Sequence, residues 1–144
     1  MFRPEDYVTH DVGLLLKEIG FNENCKYSYL ENGLRCCPSE YEQNFNLSEK
    51  RCSCPTLYEA QKYLRQKHNI SVEIYRNAGG YFWILSKADN GTFITDYDLK
   101  GPNDCGCWDE YEEALNDGIY NACKMIKKKK DESNKRNNNR RKTV

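Results

Sequence analysis

The segment PTLYEAQKYLRQKHNISVEIYR constrains the fold most, because its hydrophobic period changes from that of a helix to that of a strand. In its first part, the apolar residues recur at the spacing of one helix face: Leu57, Ala60, Tyr63 and Leu64. From Ile70 onward, apolar and polar residues alternate, as in a strand with one covered face. A helix that runs directly into a strand predicts an α+β domain.

Turn and capping signals delimit the elements around this segment. Thr56 and Glu59 form a capping box, which predicts where the helix begins. The turn formers Ala78-Gly79-Gly80 and Asn90-Gly91 divide the following residues into three strand-like runs, ISVEIYR, YFWILSK and TFITDYD. Because short turns join antiparallel neighbours, we expect a three-stranded antiparallel meander.

The N-terminal part adds a helix and a hairpin. One apolar face predicts a first helix over Thr9–Ile19, which Gly20 ends as a left-handed residue. Asn32-Gly33 is the two-residue turn of a small hairpin over residues 26–37. The polar residues 38–51 then predict an irregular loop.

A last helix completes the predicted order. It begins near Trp108 and carries an apolar stripe made of Tyr111, Leu115, Ile119, Ala122, Cys123 and Ile126. We therefore predict an α+β fold of order α-hairpin-α-β-β-β-α, in which the helices pack on one face of the three-stranded antiparallel meander.

The formal net charge of zero conceals two opposite parts of the chain. Residues 127–144 contain nine Lys or Arg and two Asp or Glu, a net of +7, so residues 1–126 carry a net of −7. From Asp131 to Thr143 there is no apolar residue, and such a segment cannot bury enough surface to fold. We predict a single α+β domain over residues 1–127 and a disordered basic tail over residues 128–144.

The cellular compartment follows from the N-terminal sequence. MFRPEDYVTHDVGLLLKEIGF has charges from the start and lacks the apolar run of a secretory signal peptide. No stretch approaches the ~20 apolar residues that span a membrane. We expect a cytoplasmic protein of a bacterial cell, without membrane contact, whose cysteines are kept reduced.

Two stretches, PTLYEAQKYLRQKHNISVEIYR and YEEALNDGIYNACKMI, carry a resemblance. They resemble the pattern shared by a group of small proteins that prophages and mobile elements of gut bacteria encode. The likeness covers roughly residues 9–126. It implies one compact α+β domain in a bacterial or phage cytosolic protein, and it supplies no catalytic residue. The cysteine-rich stretch and the basic tail depart from that pattern.

The order α-β-β-β-α over residues 56–127 is also similar to that of double-stranded-RNA-binding domains. Those domains contact phosphate with lysines at the start of their last helix. Here the corresponding place reads DEYEEALND, and its carboxylates would repel a phosphate backbone. The similarity therefore concerns topology and not activity.

The cysteines are the main candidates for metal chemistry, and half of the eight lie in CCPSEYEQNFNLSEKRCSC. Structural zinc sites commonly use a C-x₂-C spacing, which this chain lacks. The spacings present are one adjacent pair and two C-x-C pairs: Cys36-Cys37, Cys52/Cys54 and Cys105/Cys107. We expect no metal, no cofactor and no structural disulfide; if zinc is found, Cys52 and Cys54 are the first ligands to test.

Other reactive or aromatic residues have structural explanations. His68 ends a helix, where its charge suits the helix dipole. The meander carries aromatic residues that could stack on single-stranded nucleic acid: Tyr75, Tyr81, Trp83, Phe93 and Tyr97. Charges of both signs lie among them, so core and cross-strand packing explains these rings better.

The charge distribution favours a binding protein over an enzyme. We expect a non-enzymatic accessory protein of a phage or mobile element. It would contact a host or phage protein through an acidic surface at Asp109, Glu110 and Glu113. The alternative is a nucleic-acid-binding accessory protein that uses the basic end of the chain: Lys127, Lys128, Lys129, Lys130, Arg136, Arg140 and Arg141.

Overall fold

The computed structural model describes residues 3–38 and 40–142, in which three α-helices, two short 3₁₀ helices (Pro4–Asp6 and Phe45–Leu47) and two antiparallel sheets form an α+β fold. The helices are α1 (His10–Glu18), α2 (Leu57–His68) and α3 (Tyr111–Lys142). The strands are β1 (Tyr27–Tyr29), β2 (Arg35–Cys36), β3 (Cys52–Cys54), β4 (Ile70–Asn77), β5 (Gly80–Lys87) and β6 (Phe93–Asp96). The predicted fold class is confirmed, and the predicted helices and strands occur in the predicted order, with β3 as an additional strand before α2.

The meander is the sheet of order β4-β5-β6, and it has one covered and one open face. The turn at residues 78–79 places Asn77 opposite Gly80. This register puts Val72, Trp83 and Leu85 on the face that α2 and α3 cover, and all three are buried. The predicted packing of helices on one face is confirmed.

The boundaries of α2 follow the signals read from the sequence. The Thr56 hydroxyl accepts a hydrogen bond from the Glu59 backbone N–H at 3.1 Å, and Glu59 Oε1 accepts one from the Thr56 N–H at 3.0 Å. Asn69 ends the helix in the left-handed conformation with φ 55°. The four predicted apolar residues of this helix are all buried.

The second sheet, of order β2-β1-β3, contains a strand that the sequence did not predict. The hairpin of β1 and β2 is confirmed, but β3 pairs with the other edge of β1, with Tyr29 opposite Cys52. The loop prediction for residues 38–51 holds in part, since it includes a 3₁₀ turn at Phe45–Leu47. Ser39, in the same predicted loop, lies outside the described residues.

The start of α3 differs from the prediction by three residues. Trp108 is bound to the meander before the helix begins, because its backbone N–H and C=O pair with Tyr81 at 2.9 and 2.8 Å. The helix therefore begins at Tyr111, which is 43% exposed and whose ring contacts that of Tyr81. The rest of the predicted stripe, from Leu115 to Ile126, is buried.

The prediction of a disordered tail is wrong for residues 128–142, because α3 continues to Lys142. The residues from Lys128 to Lys142 are exposed all round, so tertiary packing does not hold them. Lys, Arg and Glu are good helix formers, and extending a packed helix avoids the cost of nucleation. Asp131 and Glu132 also precede Lys135 and Arg136 by one turn, which favours a helix. Thr143 and Val144 lie outside the described residues.

One continuous apolar core joins the helices and both sheets. Gly118 lets α3 approach the meander closely: a Cβ at this position would lie 2.7 Å from Val72 Cγ1 and 3.0 Å from Trp83 Cγ. In the part of the chain that the structure describes, no helix has the length and apolar character needed to cross a bilayer.

The close approach at Gly118 predicts a strong effect of side-chain size. Gly118→Leu should lower the free energy of unfolding by about 1–3 kcal/mol or more, because the added atoms overlap Val72 and Trp83. Chemical denaturation measures this change. Asn137→Leu, on the exposed part of α3, is the control and should change stability by about 0.5 kcal/mol or less. Equal effects of the two variants would contradict the packing described for α3.

Candidate functional site

A groove with a volume of about 1000 Å³ lies between residues 3–9 and the first two turns of α3. Val8, Tyr29 and Trp108 contribute to its lining, and all three are buried residues of the core. The groove therefore has an apolar and aromatic base under polar walls.

Hydrogen bonds hold the N-terminal wall of the groove in place. The Thr9 N–H donates to Asn116 Oδ1 at 3.1 Å, and Asn116 Nδ2 donates back to Thr9 Oγ1 at 3.0 Å. The Tyr29 hydroxyl donates to the Val8 carbonyl at 2.6 Å, while the Val8 N–H donates to the Pro55 carbonyl at 3.1 Å. The wall is thus joined both to α3 and to the core beneath it.

The charge of the groove is strongly negative. Six acidic residues line it, against the single basic residue Arg3: Glu5, Asp6, Glu110, Glu112, Glu113 and Asp117. Most of these carboxylates are exposed or half-buried, so they attract cations at short range and are screened by salt at long range. Such an arrangement suits positively charged side chains of a ligand.

Asp117 connects the groove to the core. Its Oδ2 accepts a hydrogen bond from Trp83 Nε1 at 2.8 Å and another from Asn121 Nδ2 at 3.2 Å. Burial raises the pKa of the Asp117 carboxyl, and the hydrogen bond from Trp83 opposes that rise. Asp117 therefore links the groove, which it lines, to the buried indole of Trp83.

The structure brings together two of the three acidic residues predicted as a partner surface. Glu110 and Glu113 line the groove and are exposed. Asp109 does not line it, and its carboxylate accepts a hydrogen bond from Asn103 Nδ2 at 3.0 Å. Sequence reasoning missed Glu5 and Asp6, since no local pattern indicates that residues 3–9 meet α3, although their acidic character was visible.

The residues predicted for nucleic-acid contact all lie on α3. Lys127 is half-buried and pairs with Glu18 at 2.9 Å, which ties this part of the helix to α1. Lys128, Lys129 and Lys130 are exposed and directly follow Lys127 in the helix. Arg136, Arg140 and Arg141 lie on the outer part of the helix and are exposed.

A second, smaller concave surface is basic. It has a volume of about 480 Å³, and its lining includes Lys87 from the meander with Lys129 and Lys130 from α3. His68 lines it as well, and burial followed by the charge of Lys130 lowers the pKa of its imidazole. The structure thus places a basic side chain of the meander on the same concave surface as two of the predicted lysines.

The open face of the meander carries a row of aromatic rings. The rings of Tyr75 and Phe82 stack with centroids 5.9 Å apart, and Tyr97 follows at 4.9 Å from Phe82. The strand register places Glu73 and Asp96 on this same face. The packing interpretation holds for the buried Trp83, whereas Tyr75 is half exposed. Carboxylates beside the rings disfavour a phosphate backbone.

The cysteines are distributed over three parts of the molecule, and the structure holds all eight as thiols. Cys52 and Cys54 are buried in β3, where burial raises the pKa of Cys52 to about 11. Both described histidines lie against tyrosines: His68 Nε2 is 3.2 Å from the Tyr63 hydroxyl, and the His10 ring packs on Tyr29. Within residues 3–38 and 40–142, no three His, Cys, Asp or Glu residues are grouped to hold a metal ion.

Comparison with known proteins adds no relative: no protein-family model matches the chain, and no curated protein or solved structure shows significant similarity to it.

The raised pKa of Asp117 predicts a pH dependence of stability. The folded state binds the Asp117 proton more tightly than the unfolded chain, so this group's contribution is present at low pH and is lost as the pH rises through its raised pKa. Asp117→Asn keeps an acceptor for Trp83 and removes the titration. Relative to that of the wild type, the free energy of unfolding of this variant should increase by roughly 0.5 kcal/mol between acidic and neutral pH. The value is small because water screens a half-exposed group.

Denaturation at several pH values tests this expectation, with the exposed Asp104→Asn as the control. If the difference in free energy of unfolding between the wild type and Asp117→Asn did not change with pH, the raised pKa of Asp117 would be contradicted.

Proposed function

We propose that the protein is a non-enzymatic binding protein that holds a basic segment of a partner protein in the acidic groove. The observation that carries this proposal is the grouping of six acidic residues and one basic residue around a groove with an aromatic base. The walls come from two distant parts of the chain and are joined by the Thr9–Asn116 hydrogen bonds. A surface of this kind is preformed and loses little entropy on binding.

The chemistry of the groove fits Lys or Arg side chains in particular. Their charged ends would meet the exposed carboxylates of Glu110 and Glu113, while their aliphatic stems would cover Tyr29 and Trp108. The net charge of −7 over residues 1–126 would also accelerate the encounter with a basic partner at low salt. The partner would thus be a protein with an accessible basic segment.

We further propose that this binding serves an accessory role for a phage or mobile element in the cytoplasm of a bacterial host. The support for the element is the resemblance of the two stretches noted in the sequence. The same resemblance implies a cytosolic protein, and this is the support for the compartment.

Peptide binding tests the groove. A short fluorescein-labelled peptide rich in Lys and Arg should bind the full chain, with an affinity that falls as salt rises. Replacing two wall residues, Glu110→Gln with Glu113→Gln, should raise the Kd about five- to tenfold, since each exposed ion pair contributes up to about 1 kcal/mol. Fluorescence anisotropy measures the change.

The matched control removes the same charge from the open face of the meander, through Glu73→Gln with Asp96→Asn. This variant should bind the peptide within about twofold of the wild type, because salt screens distant charges. Equal weakening by both double variants would indicate general attraction and would contradict a groove-bound peptide.

Nucleic-acid binding by the outer part of α3 is the second candidate function. The observation that favours it is a continuous exposed helix over residues 128–142 in which basic residues predominate. Lys87 adds a basic group from the meander beside Lys129 and Lys130. Neutralising phosphates with such groups releases counterions and gives binding without sequence preference.

Deletion of residues 128–144 tests the second candidate. A duplex DNA or RNA probe should bind the full chain with a steep salt dependence, and the deletion should reduce the affinity about tenfold or more. Lys87→Gln with Lys129→Gln should lower the slope of log K against log salt by about two, because two lysines no longer neutralise a phosphate each. Anisotropy titrations at several salt concentrations measure both effects; retention of binding after the deletion would contradict this function.

A further inference from the structure

The loop between β6 and α3 folds two cysteines into a tight turn. The Gly106 N–H donates to the Asn103 carbonyl at 2.8 Å, and the Asn103 N–H donates to the Cys107 carbonyl at 3.2 Å. Gly106 has φ +72°, a left-handed conformation that costs glycine little and other residues more. The segment Cys105-Gly106-Cys107 is therefore bent rather than extended.

The two thiols of this turn meet at one acceptor. The Cys105 and Cys107 thiols donate to the same atom, Asn77 Oδ1, at 3.8 and 3.6 Å. Cys107 is fully buried, whereas Cys105 is partly exposed. Cys107 Sγ also lies 3.9 Å from the Tyr97 hydroxyl. The turn thus holds one accessible thiol beside one protected thiol.

The other C-x-C pair shows what the same spacing does in an extended backbone. Cys52 and Cys54 lie in β3, where pairing with Tyr29 and Tyr27 keeps the chain straight. Two residues of a strand span about 6.6 Å, close to the upper limit of Cα separation that a disulfide tolerates. Both thiols are also buried, and Cys54 donates to the Val8 carbonyl at 3.7 Å. This pair provides a control within the same chain.

We propose that Cys105 and Cys107 form a redox-active dithiol that exchanges reversibly with low-molecular-weight disulfides such as oxidised glutathione. Cys105 loses its proton to solvent, and its thiolate attacks one sulfur of oxidised glutathione. A mixed disulfide forms on Cys105, and one glutathione thiolate leaves and takes up a proton. The Cys107 thiolate, after losing its own proton, attacks the Cys105 sulfur and releases the second glutathione thiolate, which is protonated in turn. Two protein thiols are oxidised, and one glutathione disulfide is reduced to two thiols.

The surroundings favour the oxidised form of this pair. A dithiol is a strong oxidant when its thiolate is stabilised, because the reduced form is then preferred. Here the hydrogen bond with Cys107, and then burial, raise the pKa of the Cys105 thiol, so its thiolate is not stabilised. At equilibrium the disulfide should therefore be favoured and resist reduction, whereas exchange should be slow at neutral pH and become faster as the pH rises.

Equilibration of the full chain with glutathione buffers tests the proposal. Remaining thiols are alkylated after denaturation, and peptide mass spectrometry locates the disulfide by its loss of two hydrogen atoms. The quantity measured is the ratio of oxidised glutathione to the square of reduced glutathione at which half of the Cys105–Cys107 pair is a disulfide. This ratio should be roughly tenfold or more lower in the folded chain than in the urea-unfolded chain. Under the same conditions Cys52 and Cys54 should remain thiols.

Single variants separate the two roles. Cys107→Ser should leave glutathione bound to Cys105, because the thiol that resolves the mixed disulfide is missing. Cys105→Ser should carry no glutathione on the buried Cys107 while the chain is folded. The proposal would be overturned if the folded chain were no more readily oxidised at this pair than the unfolded chain, or if Cys52 and Cys54 were oxidised to the same extent.

Discussion

The contact between Trp83 and the middle of α3 is the interaction on which the rest of the structure depends. Trp83 is almost fully buried, its side chain packs against the backbone of α3 at Gly118, and its indole N–H donates to Asp117. This contact fixes the position of α3 on the meander. The same helix contacts Thr9 of the N-terminal wall through Asn116 and Glu18 of α1 through Lys127, so one helix relates the meander, α1 and that wall of the groove.

Elements with local signals could be predicted from the sequence, and elements without them could not. The capping box of Thr56 and Glu59 and the left-handed Gly20 depend on neighbours within one turn, and the structure contains both. The three-residue strand β3 exists because it pairs with β1, some 25 residues earlier in the chain, and nothing within CSC indicates that partner. The groove is harder still, because Thr9 and Asn116 are 107 residues apart.

The two C-x-C pairs illustrate why spacing alone predicts little about cysteine chemistry. In β3 the intervening Ser53 is extended and buried, and strand geometry places Cys52 and Cys54 on the same face, where both are buried. In the loop before α3 the intervening Gly106 is left-handed, and both thiols reach the same side-chain oxygen of Asn77. The identity of the middle residue carries part of this difference, since glycine adopts φ > 0 without strain and serine does not. The rest comes from strand pairing, which the spacing does not encode.

The charges on α3 need separate explanations at its two ends. Acidic residues in the first turn and basic residues in the last turn both interact favourably with the helix dipole, so charge by itself is consistent with a purely structural role. The dipole acts only over the terminal turns, however, and the basic residues begin at Lys124, several turns before the helix ends. At the acidic end, the helix dipole does not explain the second wall of the groove, because that wall lies outside the helix. Glu5 and Asp6 belong to another segment, and their negative charge opposes that of Glu110 and Glu113 across the groove. Helix stability gives no reason to place like charges together, whereas a basic ligand between the walls does.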